Sequence, residues 1–322
     1  MKPLFSVLLL VWVSRGVAAQ VPETDDLVRI AEAFRLADVV QTSAWPGWDT
    51  TPFPVLLVSG DREFLIASRN VPAGFTPIGR SMLLQADIWS RPRQFDPGLL
   101  ATFPAFGPPP VVVIGRAEVT GKRSVAWVLT LLHEHFHQYQ MSEPGYYAEV
   151  EQLGLSGGDQ TGMWMLNYPF PYESPKVAGA FASASRELGR LLVKSSRPDR
   201  RRFWQRYTGF LDILSEQDRR YLSFQVWQEG VARYVELRIA ELAAQTYKPS
   251  LEFRQLPDVA PFANAADSMR ASILSELAAP DLAKQKRVGF YAFGAGLALL
   301  LDQDGSAWKG RYMREKFLLG GR

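Results

Sequence analysis

Apolar residues recur at helical spacing through Leu27, Ile30, Ala31, Phe34, Ala37 and Val40, with Asp25 and Asp26 at the head of the run. The pattern predicts an amphipathic helix over 25–42, closed by Trp45-Pro46-Gly47-Trp48. The period then shortens. Val55-Leu56-Leu57-Val58 and Glu63-Phe64-Leu65-Ile66-Ala67 flank Ser59-Gly60-Asp61-Arg62, which predicts a hairpin over 54–68. Residues 70–110 carry much proline and glycine and end in Pro108-Pro109-Pro110, so irregular structure with short strands is expected there. Val111-Val112-Val113-Ile114-Gly115 reads as a strand straight after the proline run. Helical spacing returns at Val125, Val128, Leu129, Leu132 and Phe136, predicting a helix over 124–141 that Pro144-Gly145 stops. Glycine, aromatic and proline residues then dominate 154–175, a long loop that either walls a cleft or simply packs. Beyond it the pattern is helical at 175–195, 199–215, 217–246, 264–279, 287–301 and 307–317, with Arg314 to Arg322 as a surface tail. The expected fold class is α+β, a small N-terminal sheet followed by a mostly α-helical C-terminal half.

Composition changes this picture little. The chain has 322 residues, 47% of them hydrophobic, and shows neither an internal repeat nor a low-complexity tract. A single domain over 20–322 is expected, with an α/β part at 20–122 and a helical part at 123–322. The first nineteen residues differ: Lys2, the apolar run Leu4 to Val13 and the small residues Val17-Ala18-Ala19 read as a signal peptide over 1–19. That run is too short to span a bilayer, so the expectation is export, to the periplasm or the extracellular space, with no stable membrane span after cleavage. The chain has no cysteine, which excludes both a lipidated cysteine and a disulfide framework. Losing Lys2 and Arg15 takes 36 basic side chains to 34 against 33 acidic ones, so the net charge says little about partners. The basic cluster at Arg186, Arg190, Lys194, Arg197, Arg200, Arg201, Arg202 and Arg206 reads as a solvated face, with no nucleic-acid partner implied.

The chemistry sits in His133-Glu134-His135-Phe136-His137, which holds all three histidines of the protein. His133-Glu134-x-x-His137 is the HExxH pattern, in which histidines at i and i+4 on one helix face converge on a Zn2+ ion. Glu134 lies about 100° round from His133, an offset that suits a general base beside the metal. His135 lies about 200° away and is expected to be buried or hydrogen-bonded instead. Catalytic zinc usually takes three protein ligands, and without cysteine or a further histidine the third must be a carboxylate. Glu229 in Trp227-Gln228-Glu229-Gly230-Val231-Ala232-Arg233-Tyr234-Val235-Glu236 is the best candidate, and Gly230 would let a second helix approach closely. The plainer reading of Glu229 is a helix charge paired with Arg233 at i+4.

HExxH followed by a glutamate on a second helix resembles the gluzincin metallopeptidases, and Trp227 to Glu236 is similar to the W-x-x-E-G-x-A-x-Y-x-E segment of their aminopeptidase N and glycyl aminopeptidase branches. The resemblance implies Glu229 as metal ligand and Glu236 as the residue orienting a zinc histidine. Phe290-Tyr291-Ala292-Phe293-Gly294, running on to Leu300-Leu301-Asp302, is similar to a Tyr-x-x-Gly…Leu-Leu-Asp segment of the same enzymes, which implies Tyr291 as oxyanion donor. It also implies an edge strand ahead of the zinc helix that aligns an extended substrate, a job for which Val111–Gly115 is placed; a plain buried strand is the alternative. Two departures stand out: 91 residues separate His137 from Glu229, and the Gly-x-Met-Glu-Asn box that grips a free amino terminus is missing. The resulting expectation is an exported zinc peptidase with Glu134 as general base, acting on peptide or protein substrates. The alternatives are a catalytically inactive peptide-binding protein and a zinc hydrolase of a non-peptide cell-wall amide.

Overall fold

The computed structural model describes residues 21–159, 161–305 and 307–319, so the candidate signal peptide over 1–19 lies outside the described residues. Helix α1 (Thr24–Ala44) opens the described chain and buries Ile30, Ala33, Leu36, Ala37 and Val40 on one face. Strands β1 (Val55–Ser59) and β2 (Arg62–Ile66) pair antiparallel with Ser59 opposite Arg62, and Gly60 supplies the φ of +61° in the turn between them. The stretch expected to mix irregular structure with short strands holds three of them, β3 (Thr76–Ser81), β4 (Ala86–Pro92) and β5 (Leu100–Phe103). Their exposed or mixed positions lack a clean alternation, which hides their bounds from the sequence pattern. With β6 (Val111–Gly115) they form one six-stranded sheet in the order β3-β4-β2-β1-β6-β5.

Val111–Gly115 is therefore not an edge strand. It runs parallel to β1 on one side and antiparallel to β5 on the other. All five of its residues are buried, and an unbroken apolar run is what a strand covered on both faces requires. The edge beside the next helix is β5. One face of the sheet (Val55, Leu57, Phe64, Ile66, Val112, Ile114) joins the core shared with the helices. The other (Leu56, Val58, Leu65, Val111, Val113) packs on Phe75, Trp89, Phe95, Phe103 and Phe106.

Helix α2 (Ser124–Ser142) carries the HExxH residues and is anchored to both layers. Asp258 accepts from the Ser124 backbone N–H at 2.7 Å, satisfying one free donor of its first turn. Trp127 Nε1 donates to the Gly115 carbonyl at 2.8 Å, and Gln138 Nε2 donates to the carbonyls of Pro54 and Pro110 at 3.0 Å. Short helices α3 (Tyr146–Gln152) and α4 (Trp164–Asn167) follow, then α5 (Pro175–Val193), α6 (Arg197–Asp212) and α7 (Glu216–Gln225). Ser174, Ser196 and Ser215 cap the last three, each accepting from a backbone N–H three residues on. The 154–175 segment packs on α7, where Tyr168 stacks on Tyr221 with centroids 4.3 Å apart and Met165 O accepts from Tyr221 and Gln225.

The helix expected over 217–246 is α7, a π-helical stretch at Val226–Gly230, and α8 (Val231–Thr246) in unbroken succession. After α9 (Leu251–Arg254), α10 (Phe262–Ala278) and α11 (Leu282–Gln285), a 3-10 turn at Lys286–Val288 leads into α12 (Gly289–Gln303), and α13 (Lys309–Tyr312) closes the fold. At Gly230 a Cβ atom would lie 2.5 Å from the Cα of Gly294, and one at Gly294 would lie 2.7 Å from the Cα of Gly230. Only paired glycines let α12 cross the π stretch at this distance. Among the described residues no helix is long and apolar enough to cross a membrane.

Candidate metal centre

His133 and His137 face one another one turn apart on α2, with Nε2 atoms separated by 3.2 Å. Glu229 reaches them from the π stretch, its Oε2 lying 4.0 Å from His133 Nε2 and 3.6 Å from His137 Nε2. The three donor atoms lie within 4.8 Å of one another and form a group able to hold a metal ion. Donors bound at about 2.0–2.1 Å around a tetrahedral ion stand about 3.3 Å apart, so the observed spacing fits a zinc-sized ion after a small movement of the Glu229 carboxylate. Glu229 is not paired with Arg233, whose guanidinium instead holds Glu276 on α10 at 2.9 Å.

Both rings are held from behind. His137 Nδ1 donates to Gln140 Oε1 at 2.6 Å. The Gln140 amide is oriented by its own nitrogen, which donates to the Gln228 carbonyl at 3.0 Å and to the Tyr312 hydroxyl at 2.6 Å. With its proton on Nδ1 for Gln140, His137 turns the Nε2 lone pair to the site, and the Gln228 amide nitrogen packs 3.1 Å from the same Nδ1. His133 Nδ1 faces Glu236 Oε2 at 3.4 Å, a longer contact than that of His137, from a residue two turns along the helix from Glu229. Burial works to raise the Glu236 pKa, but hydrogen bonding and charge from His133, with Lys122 and Arg233, lower it.

Two imidazole lone pairs 3.2 Å apart repel unless a positive charge sits between them. The electrostatics of the three side chains point the same way. Burial opposes protonation of His137, yet Glu229, by charge and hydrogen bond, with Glu134 and Gln140, pushes its pKa up to about 9. Burial likewise works to raise Glu229, and the two histidines, with Arg287, hold it down to about 2.

Glu134 is buried and steered by the sheet: Thr102 Oγ1 on β5 donates to its carboxylate at 3.0 Å and to its backbone carbonyl at 2.8 Å. Tyr291 on α12 also lies in the site, where its hydroxyl interacts with Glu229 and accepts from Arg287 Nη1. Burial and the Glu229 charge raise its pKa far above the usual phenol value, so it keeps its proton. His135 lies elsewhere, stacked on Phe53 with centroids 3.7 Å apart and with Nδ1 2.8 Å from Gln138 Oε1.

Sequence reasoning thus reaches His133, Glu134, His137, Glu229, Glu236 and Tyr291, and the fold brings all six together. It misses Thr102, Arg287 and Tyr312. Tyr312 comes from the expected terminal helix and stacks on Trp227 at 4.5 Å, beneath the π stretch. Arg287 alone left a signal, its i, i+4 spacing to Tyr291 on a helix start. Comparison of the chain with protein-family models, with curated proteins and with solved structures finds no match.

Proposed function

We propose that this chain is an exported, zinc-dependent peptidase of gluzincin type that hydrolyses peptide bonds with Glu134 as general base. The observation that carries the reading is the convergence of His133, His137 and Glu229 from two helices 91 residues apart in sequence, beside a buried carboxylate held by the sheet edge. The signal-peptide pattern over 1–19 supports export. When bound, zinc supplies Lewis acidity that polarises a carbonyl and makes water nucleophilic at neutral pH.

The remaining roles belong to the chain. Thr102 fixes the Glu134 carboxylate, which takes the proton from the attacking water and passes it to the leaving amine. Gln140 and Glu236 hold the histidine rings so that their Nε2 lone pairs stay aimed inward. Tyr291 directs its hydroxyl to Glu229. Once Glu229 serves as a ligand, that hydroxyl is free to donate to the carbonyl oxygen as negative charge develops on it, with Arg287 polarising the phenol. The β5 edge, one residue of which already touches Glu134, is the strand placed to pair with an extended substrate.

Elemental analysis and peptide-library cleavage test the reading together. About one zinc per chain is expected in the wild type and much less in Glu229→Ala, whereas Glu134→Gln keeps its zinc and loses hydrolysis by about a hundredfold or more. A chain that takes no zinc on reconstitution, or a Glu134→Gln variant that still turns over, ends it.

A further inference from the structure

Arg287 is a cation at the site with no carboxylate of its own. It lies in the 3-10 turn ahead of α12, four residues before Tyr291, and is partly buried. Its Nη1 donates to the Tyr291 hydroxyl, and its guanidinium carbon is 5.6 Å from the centroid of that ring. Among the described residues no ion pair includes it, whereas the shielded arginines Arg29, Arg91, Arg116 and Arg233 each hold a carboxylate. Glu229, whose carboxylate feels the Arg287 charge, is committed to the histidines.

The surroundings turn this group toward the metal-binding residues. Lys286, the residue before it, has φ 51° and ψ −136°, a backbone conformation that side-chain-bearing residues rarely adopt. The Lys286 ammonium turns away to Glu173 at 2.7 Å, leaving Arg287 on the side of the metal-binding group. Its charge is felt at Glu229, Tyr172 and Tyr221, so it stands in a corner between the ligand helix and the aromatic segment at 154–175. A guanidinium has five N–H donors, and a single phenol oxygen satisfies few of them. Its planar fork matches a carboxylate through two parallel hydrogen bonds, better than it matches any neutral acceptor.

We propose that Arg287 binds a carboxylate of the substrate beside the scissile bond, so that this site takes peptides with an anionic group next to the bond it cuts. The word substrate rests on the peptidase reading above; the carboxylate preference rests on Arg287 alone. A free C-terminus and an Asp or Glu side chain present the same chemistry, and the probes separate them.

The test is calorimetric binding of N-acetylated tripeptides of one apolar sequence to the full chain, zinc-loaded and EDTA-treated. One probe ends in a free carboxylate, one in a carboxamide, and a further pair carries internal Glu or Gln with a carboxamide end. The wild type is expected to bind one carboxylate form at least about tenfold more tightly than its amide partner, as a charge-assisted hydrogen bond predicts. Arg287→Met brings that ratio to about one, and Arg287→Lys, which keeps the charge and loses the fork, falls between. The internal pair against the terminal pair tells which carboxylate is read. Equal affinities in the wild type, a preference that survives in a folded Arg287→Met, or no binding of any probe overturns the proposal. Should Arg287→Met not fold, the wild-type ratio and its reduction in Arg287→Lys decide. A carboxylate preference in a chain that takes no zinc removes the peptidase reading and keeps Arg287; zinc-dependent hydrolysis without the preference does the reverse.

Discussion

At the scale of the residue, the three histidines of the motif divide by environment. His133 and His137 face carboxylates, whereas His135 faces Phe53, Trp48 and one amide. Burial therefore prevails at His135 over its hydrogen bond to Gln138 and pushes the pKa down from 6.5 to about 3. The folded chain then binds fewer protons than the unfolded chain below pH 6.5, so stability is lost as pH falls through that value and on towards 3. In EDTA, the drop in unfolding free energy between pH 7 and pH 5 is expected to be smaller by about 2 kcal/mol in His135→Gln than in the wild type. Urea titrations at the two pH values measure it, and equal drops would show that His135 is not buried as a neutral ring. This division of labour was legible in the sequence because helical periodicity alone separates i and i+4 from i+2. Thr102 and Tyr312 were not, since each reaches the site only through the way the sheet edge and the last helix come to rest on α2 and the π stretch, and Arg287 showed no more than its spacing to Tyr291.

At the scale of the element, the contact between Gly230 and Gly294 decides where two walls of the site stand. Gly294 is three residues past Tyr291 and Gly230 is next to Glu229, so this crossing sets the distance from phenol to carboxylate. Gly294→Ala puts a Cβ atom 2.7 Å from the Gly230 Cα and 2.8 Å from the Val226 carbonyl oxygen. A cost of about 1–3 kcal/mol is expected, and on the proposed peptidase reading hydrolysis falls further than zinc content because α12 carries Tyr291 and no proposed ligand. Gly209→Ala is the control: nothing lies within 4 Å of its added Cβ, and a helix gains about 0.5–1 kcal/mol from such a change. Denaturation curves showing no difference between the two variants would mean that the crossing is not tight. Gly230 signalled a close approach in the sequence, but its partner did not, because a glycine inside an apolar helix carries no mark of what it faces. The sheet shows the same limit. An unbroken run such as Val111–Ile114 announces a strand buried on both faces, while β3, β4 and β5, with mixed burial, are strands by virtue of their neighbours.

At the scale of the whole molecule, the site ties regions far apart in sequence: β5, α2, the π stretch, α8 and α12, with Tyr312 beneath. An ion shared by two of these helices favours the folded chain over the unfolded one, by about 2.7 kcal/mol when free zinc is a hundred times its dissociation constant. The melting temperature is accordingly expected to rise by about 5 °C with zinc and to return with EDTA. Glu229→Ala should show little of this rise, and a scanning-calorimetry trace that zinc leaves unmoved in the wild type would contradict the ligand set.

The π stretch at Val226–Gly230 gives that dependence an evolutionary edge. A π turn accommodates one residue more than an α turn. A chain with one residue fewer between Gln225 and Val231 would close into a regular helix with better hydrogen bonds. Everything before the deletion would also swing by about 100° relative to everything after it. The Gln140–Gln228 contact and the shared aim of Glu229 and Glu236 cannot both survive that rotation. On the proposed reading, selection for a sturdier helix and selection for the metal centre thus pull a single codon in opposite directions, and a lineage that yields to the first keeps the fold and loses the proposed chemistry.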